Sequence, residues 1–326
     1  MPVRPPLLDP PFNIVRVAYV DMAVTDLAQS KAYWVDALGL TITEETPEAL
    51  YLRGLEERCH HSAVLRRAEA PACNAIGFKV WSEEDLDRAT HFFKSQGLAH
   101  SFVERHGQGR TLAARDPFGV PLEFTFAMDE ADCLMQKFGA HRGGRLLRID
   151  HVNFFSPDVD ESHDFYRSLG FRLTEYTAME DDRHLWAVWM HRKGGVHDIA
   201  ITNGRGPRLH HAAFWAASVN AIIDLCDQLS TTGWLKSMER GPGRHGISNA
   251  FFLYLRDPDG HRIEIFTSDY LTVDPDLKPK KWALRDAQRQ TLWGAPAPKS
   301  WFQEGSLFAG ANVREPARAA QPIVAP

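Results

Sequence analysis

Four segments of this chain follow one plan, and that internal repeat restricts the fold more than any other feature. Each runs from a short apolar strand into a helix and stops at a glycine. They are VRVAYVDMAVTDLAQSKAYWVDALGL, NAIGFKVWSEEDLDRATHFFKSQGL, LRIDHVNFFSPDVDESHDFYRSLGF and RLHHAAFWAASVNAIIDLCDQLSTTGW, the last with looser start and stop signals. Asp26, Ser82 and Asp158 stand where helix N-caps belong. Gly39, Gly97 and Gly170 stand where a left-handed residue ends a helix. The second and fourth units close alike, on ARDPFGVPLEFTF and LRDPDGHRIEIFT, where DPxG reads as a tight turn. The spacing therefore predicts an α+β fold of tandem βαβββ modules, two per domain. The first domain is expected over 1–145 and the second over 146–270, with an extension over 271–326. The junction MDEADCLMQKFGAHRGGR reads as a helix-like piece ending in a Gly-rich linker. The last ~15 residues, rich in Pro and Ala, read as mobile.

Composition narrows the class. Net charge is −5 over 326 residues, with a pI near 6.3, so neither a nucleic acid nor a membrane surface is the expected partner. No run of 18 apolar residues could span a bilayer, and the N-terminus lacks the pattern of a secretory signal. Four scattered cysteines without a CxxC pair read as reduced thiols, which implies a cytoplasmic protein.

A strand after the last turn, RIEIF, carries Glu264 among apolar residues. An ionised carboxylate buried there costs several kcal/mol or more unless a cation neutralises it. Aligning the third and fourth units lays RIDHVNF over RLHHAAF, so His151 matches His211, and His210 is expected to point away. Either histidine alone would more commonly be a hydrogen-bonded core residue, and a glutamate near a strand end commonly faces water. Two imidazoles at matching repeat positions plus one carboxylate are instead the donor set of a non-haem Fe(II) facial triad with open positions. In the first domain the same alignment sets Tyr19 at the place of His151, Gly77 at that of His211 and Glu123 at that of Glu264. That set cannot hold a metal, so the first domain is expected to be metal-free, with Glu123 in a salt bridge or other polar contact.

The repeat plan resembles the vicinal-oxygen-chelate superfamily, whose paired modules form half-open barrels around a metal. Within GRHGISNAFFLYLRDPDGHRIE, the order G-x-H, L-Y-x-x-D-P-x-G, then E is similar to the signature of type I extradiol ring-cleaving dioxygenases. With HRKGGVHD, PRLHH, ERGPGRHG and SWF, the C-terminal half is most similar to the branch acting on homoprotocatechuate (3,4-dihydroxyphenylacetate). The resemblance implies Fe(II), or Mn(II), which accepts the same donors, held by His151, His211 and Glu264. It implies a catechol and O2 as reactants and a homotetramer acting in aromatic catabolism. It makes His197 the acid–base residue, Tyr254 and His245 partners of the substrate oxygens, Asn153 a neighbour of O2, and Trp189 a pocket wall. Arg240 and Arg289 become candidates for holding a substrate carboxylate, for which a guanidinium fork suits the geometry. Relatives tend to carry two consecutive arginines here, and this chain has Gln290 after Arg289. The implied reaction converts 3,4-dihydroxyphenylacetate to 5-carboxymethyl-2-hydroxymuconate semialdehyde. The alternatives are another extradiol dioxygenase with a different catechol, a glyoxalase-like metalloisomerase, and a metal-free binding protein of the same architecture.

Overall fold

The computed structural model describes residues 3–319, and the four units fold as four βαβββ modules. The first comprises β1 (Ile14–Val24), α1 (Leu27–Lys31, continued by a π-helical turn at Ala32–Ala37), β2 (Thr41–Glu45), β3 (Ala49–Arg53) and β4 (Ala63–Arg67). The second comprises β5 (Ala72–Val80), α2 (Glu83–Ser95), β6 (His100–Val103), β7 (Thr111–Arg115) and β8 (Pro121–Thr125). The third comprises β9 (Leu146–Ser156), α3 (Val159–Ser168), β10 (Arg172–Ala178), β11 (Leu185–His191) and β12 (Ile199–Asn203). The fourth comprises β13 (Arg208–Ala216), α4 (Val219–Thr231), β14 (Met238–Arg244), β15 (Phe251–Arg256) and β16 (Arg262–Thr267). The extension adds β17 (Lys280–Trp282), α5 (Ser300–Gln303) and β18 (Ser306–Leu307).

Modules pair through their first strands. β1 lies antiparallel to β5 at the centre of an eight-stranded sheet, ordered β2-β3-β4-β1-β5-β8-β7-β6. β9 lies antiparallel to β13 in the second sheet, ordered β14-β15-β16-β13-β9-β12-β11-β10-β17, with β18 added on β13. Neither sheet closes on itself, which agrees with the two half-open barrels expected. The predicted caps form: Asp26, Ser82 and Asp158 each accept hydrogen bonds from first-turn amides. Ser218 caps α4 in the same way, the start signal the fourth unit had seemed to lack. Gly39, Gly97 and Gly170 take positive φ of 91°, 65° and 86°.

Reciprocal bonds join the two halves. The Val17 amide of β1 donates to Asp198 of the second half at 2.9 Å, and the Ile149 amide of β9 donates to Glu57 of the first at 3.1 Å. The DPxG aspartates repeat the exchange. Trp34 donates to Asp257 at 3.1 Å, and Tyr166 donates to Asp116 at 3.3 Å. All eight residues are buried, and one apolar core runs through both halves.

Two expectations fail. The junction is not helical beyond a single turn at Phe138–Ala140. It runs as an extended strap whose Ala131 and Leu134 amides bond Arg58 and Leu55 carbonyls, with Leu134 packed on Leu55 and Leu147. Tertiary pairing overrides a weak local helix preference there. The tail, read as mobile, is docked through residue 319. Arg314 pairs with Gly206, the Ala317 amide bonds Pro157, and Arg318 meets Asp160 at 3.1 Å. The rest of that stretch lies outside the described residues.

Candidate active site

The central strands of the second sheet deliver three donors to one point. β9 supplies His151, β13 supplies His211 and β16 supplies Glu264, all at most 3% exposed. His151 Nε2 lies 3.0 Å from Glu264 Oε2, His211 Nε2 3.1 Å from the same oxygen, and the two nitrogens 3.4 Å apart.

Their neighbours fix which nitrogen is bare. Asp150 accepts from His151 Nδ1 at 3.0 Å, so the Nε2 lone pair faces Glu264. His210 Nε2 donates to the Trp301 carbonyl at 2.9 Å, which leaves His210 Nδ1 to accept from His211 Nδ1 at 2.6 Å. His211 therefore also turns a bare Nε2 toward Glu264. Two lone pairs and a carboxylate oxygen thus converge in a buried space where none has a hydrogen to share. A divalent cation satisfies all three, and the donor set suits Fe(II) or Mn(II). His210, expected to point away, stands behind the donor and orients it.

Around this point lies a partly open pocket, and every remaining candidate from the sequence lines it. His197, immediately before β12, lies 3.9 Å from His151 between ring centres, and its buried Nδ1 has no partner. Burial pushes its pKa well below the usual imidazole value, so it is neutral, with a lone pair that no neighbour uses. His245 donates from Nδ1 to the Gln290 carbonyl, so its Nε2 accepts from the Tyr254 hydroxyl at 2.9 Å. Burial raises the Tyr254 pKa and keeps it a donor. Asn153 accepts from Thr202 at 3.4 Å, and Trp189 forms wall with Trp186 and Ile247. Arg240 spends one nitrogen on the Gln290 carbonyl and Thr291, but its Nε and Nη1 are buried without partners. Arg289, 1% exposed, lies over Trp186 at 4.6 Å and also has an unpartnered Nη1. Burial lowers both to about 10, so both stay cationic at neutral pH.

The comparisons with known proteins agree with this geometry. The family model described as "Glyoxalase/Bleomycin resistance protein/Dioxygenase superfamily" matches residues 16–124 and 148–265. The chain belongs to this superfamily. Within it, the chain is 41% identical to the homoprotocatechuate 2,3-dioxygenase of Brevibacterium fuscum, solved as a complex with 3,4-dihydroxyphenylacetate, at a TM-score of 0.90 over 95% of this chain and 99% of that one. The Arthrobacter globiformis enzyme of the same name gives 41% and 0.90 over 96% and 98%. A manganese-dependent 2,3-dihydroxybiphenyl 1,2-dioxygenase from Geobacillus genomosp. 3 is 30% identical over 303 residues, 88% of this chain and 96% of the relative. The protein is an extradiol catechol dioxygenase that uses Fe(II) or Mn(II).

As an extradiol dioxygenase it carries wall residues that the sequence reading missed. Trp301 and Phe302 come from the extension, and Trp301 packs edge-on against Tyr254 at 4.3 Å and His210 at 4.4 Å. β18 pairs with Arg208 and Leu209, just before His211, and this pairing brings the extension back to the pocket. No repeat signal marks these residues; the sole cue was the short SWF resemblance.

The first half of this dioxygenase needs a correction. Tyr19 pairs with Gly77 across β1 and β5, as His151 pairs with Ala213 across β9 and β13. Gly77 therefore holds the place of Ala213, and Ala75, opposite Asp21, holds that of His211, which lies opposite Asn153. Counting back from the Ser82 and Ser218 caps gives this register; the glycine misled by its conspicuousness. Its role is steric, since a Cβ on Gly77 would sit 2.1 Å from the Tyr19 ring. The Tyr19 hydroxyl donates to Glu123, which Arg105 also holds, so the expected salt bridge exists. His61 corresponds to His197. The Val20 amide bonds the Ser62 carbonyl just as the Val152 amide bonds that of Asp198.

Proposed function

We propose that the chain cleaves 3,4-dihydroxyphenylacetate beside its hydroxyl groups, giving 5-carboxymethyl-2-hydroxymuconate semialdehyde. One observation carries this substrate: Arg240 and Arg289 are buried guanidiniums at the pocket wall, each with an unpartnered N–H and, among the described residues, no carboxylate in salt-bridge contact. A buried cation without an anion is costly, and a substrate carboxylate supplies the anion.

We assign catalysis to residues 146–270, a supporting role without the catalytic metal to 1–145, and a wall of the pocket to the extension. Fe(II) or Mn(II) would be held by His151, His211 and Glu264 and would supply Lewis-acid activation of the catechol and of O2. His197, neutral and unpartnered, takes a catechol proton and later returns it. Tyr254 turns its hydroxyl hydrogen from His245 to the substrate oxygen, and the vacated His245 Nε2 is then free to accept from a substrate hydroxyl. Asn153 presents its amide on the O2 side, and Trp186, Trp189 and Ile247 clamp the ring and exclude water. Trp301 closes the opposite wall. Four unpaired cysteines support a cytoplasmic location. The assembly is a homotetramer, tested by whether light scattering returns four times 36.8 kDa.

The deciding experiment is a panel of catechols with and without a carboxylate side chain, run on wild type and Arg240→Ala. The expected kcat/KM preference for the acid is about 10-fold or more, largely lost in the variant. Equal rates on plain catechol and on the acid would remove this substrate assignment and leave ring cleavage standing.

A further inference from the structure

A second convergence of donors lies in the half without the catalytic triad. Glu44 of β2, His60 of the loop before β4, and His106 of the loop between β6 and β7 offer three ligand atoms within 4.8 Å of one another. His60 Nε2 is 3.1 Å and His106 Nε2 2.8 Å from Glu44 Oε2. His60 is buried, whereas Glu44 is half-buried and His106 exposed, 38% and 56% by side chain. The set thus has a rigid inner donor and open positions facing water. We propose that Glu44, His60 and His106 form a second metal site, for Zn²⁺ or a similar borderline divalent ion, that staples the first module to the second.

Three features beyond proximity support the site. First, His60 is backed by its neighbour. Its Nδ1 lies 3.0 Å from His61 Nδ1, the same nitrogen-to-nitrogen contact that joins His210 to His211 and aims the catalytic donor. With His61 accepting, the His60 Nδ1 carries the hydrogen and its Nε2 lone pair faces Glu44 and His106. Second, His60 is not inherited from the repeat. His61 matches His197, so the residue matching His60 is Val196, and the imidazole belongs to this half alone. Third, the loop bearing His106 closes tightly on it. Gly107 has φ +70°, and a Cβ there would meet His60 Nδ1 at 2.4 Å. The Tyr51 ring braces both imidazoles, 5.1 Å from His60 and 5.2 Å from His106.

Two imidazoles and a carboxylate with water in the remaining position are an ordinary tetrahedral Zn²⁺ environment. The ion would join β2 and the β3–β4 loop of module one to the β6–β7 loop of module two, far along the chain. This site does not depend on the substrate reading above, and its test is separate.

The test uses the Fe(II)- or Mn(II)-loaded enzyme, equilibrated with Zn²⁺ and analysed for both metals per chain by mass spectrometry. The expected result is one Zn²⁺ taken up with the catalytic metal retained. Glu44→Gln and His106→Ala should each weaken Zn²⁺ binding at least about 10-fold, with turnover changed less than 2-fold. Both side chains are partly exposed, so these variants fold. As a second readout, Zn²⁺ should raise the Tm of the wild type and leave that of the double variant unmoved. Zn²⁺ uptake that is equal in all variants, or that occurs only by displacing the catalytic metal, overturns the proposal.

Discussion

Both halves of the molecule place a glutamate at the same point of the same strand, and the two glutamates meet opposite surroundings. Glu264 faces two bare imidazole nitrogens, and Glu123 faces a phenol and a guanidinium. The backbone frame is shared: Glu123 lies opposite Gly77 and Glu264 opposite Ala213 in matching parallel ladders. Protons decide the difference. Tyr19 and Arg105 bring hydrogens to their carboxylate and satisfy it, whereas His151 and His211 have turned theirs outward, to Asp150 and His210. A buried acid in this fold is therefore not itself the mark of a metal; the tautomer of what faces it is.

The sharpest way to break that comparison is to neutralise each acid. Glu264→Gln should lower both bound metal and kcat at least about 100-fold. Glu123→Gln should leave metal content and turnover near wild type, read by metal analysis and product absorbance. Next come the paired histidines. His197→Gln should cost about 10²–10⁴ in kcat while the metal stays bound, as expected for a lost acid–base group; His61→Gln should cost less than about 2-fold. A smaller contrast separates the two tyrosines. Tyr19→Phe takes a donor from buried Glu123 and should lower unfolding stability by about 1–2 kcal/mol in urea titrations, with kcat kept. Tyr254→Phe, which takes a donor from the neutral His245 ring, should instead lower kcat about 10-fold or more, the effect that Tyr19→Phe lacks.

The smallest effect concerns a brace found only in the active half. Glu239 binds Arg262, Arg256 and Ser300, and Pro121 occupies the Arg262 position in the other half. Burial would raise the Glu239 pKa, but the two arginines hold it down at about 2. Because the folded value lies below the unfolded one, this stabilisation is complete above about pH 4.5 and disappears as pH falls through about 2. Glu239→Gln should therefore lose about 1–2 kcal/mol at pH 7, allowing for partial solvent screening. Denaturant midpoints for wild type and variant should converge as pH falls between those values.

The convergence of the three donors was legible because three signals coincided: residue type, repeat register, and a charge where apolar residues were due. His151, His211 and Glu264 needed no coordinates. The register of the first half was harder, since an exceptional glycine drew the alignment two residues off and the Ser82 cap would have corrected it. His210 was read by strand alternation as facing away, but alternation says nothing of its bond to the Trp301 carbonyl. The junction and the tail failed for a common reason: their partners, such as Leu55 and Asp160, are distant in sequence, and no local pattern announces them. His60 and His106 were passed over because 46 residues separate them and neither lies in a repeated strand.

The crossed bonds of Glu57 to Ile149 and Asp198 to Val17 bear on the history of the chain. Each copy of the doubled unit holds the carboxylate that its sibling's first strand requires. A gene cut down to codons 146–326 would leave the amide of Ile149 and the side chain of Tyr166 stranded, and Asp257 without Trp34. Each half thus supplies partners for buried polar groups of the other, whichever of them meets the substrate.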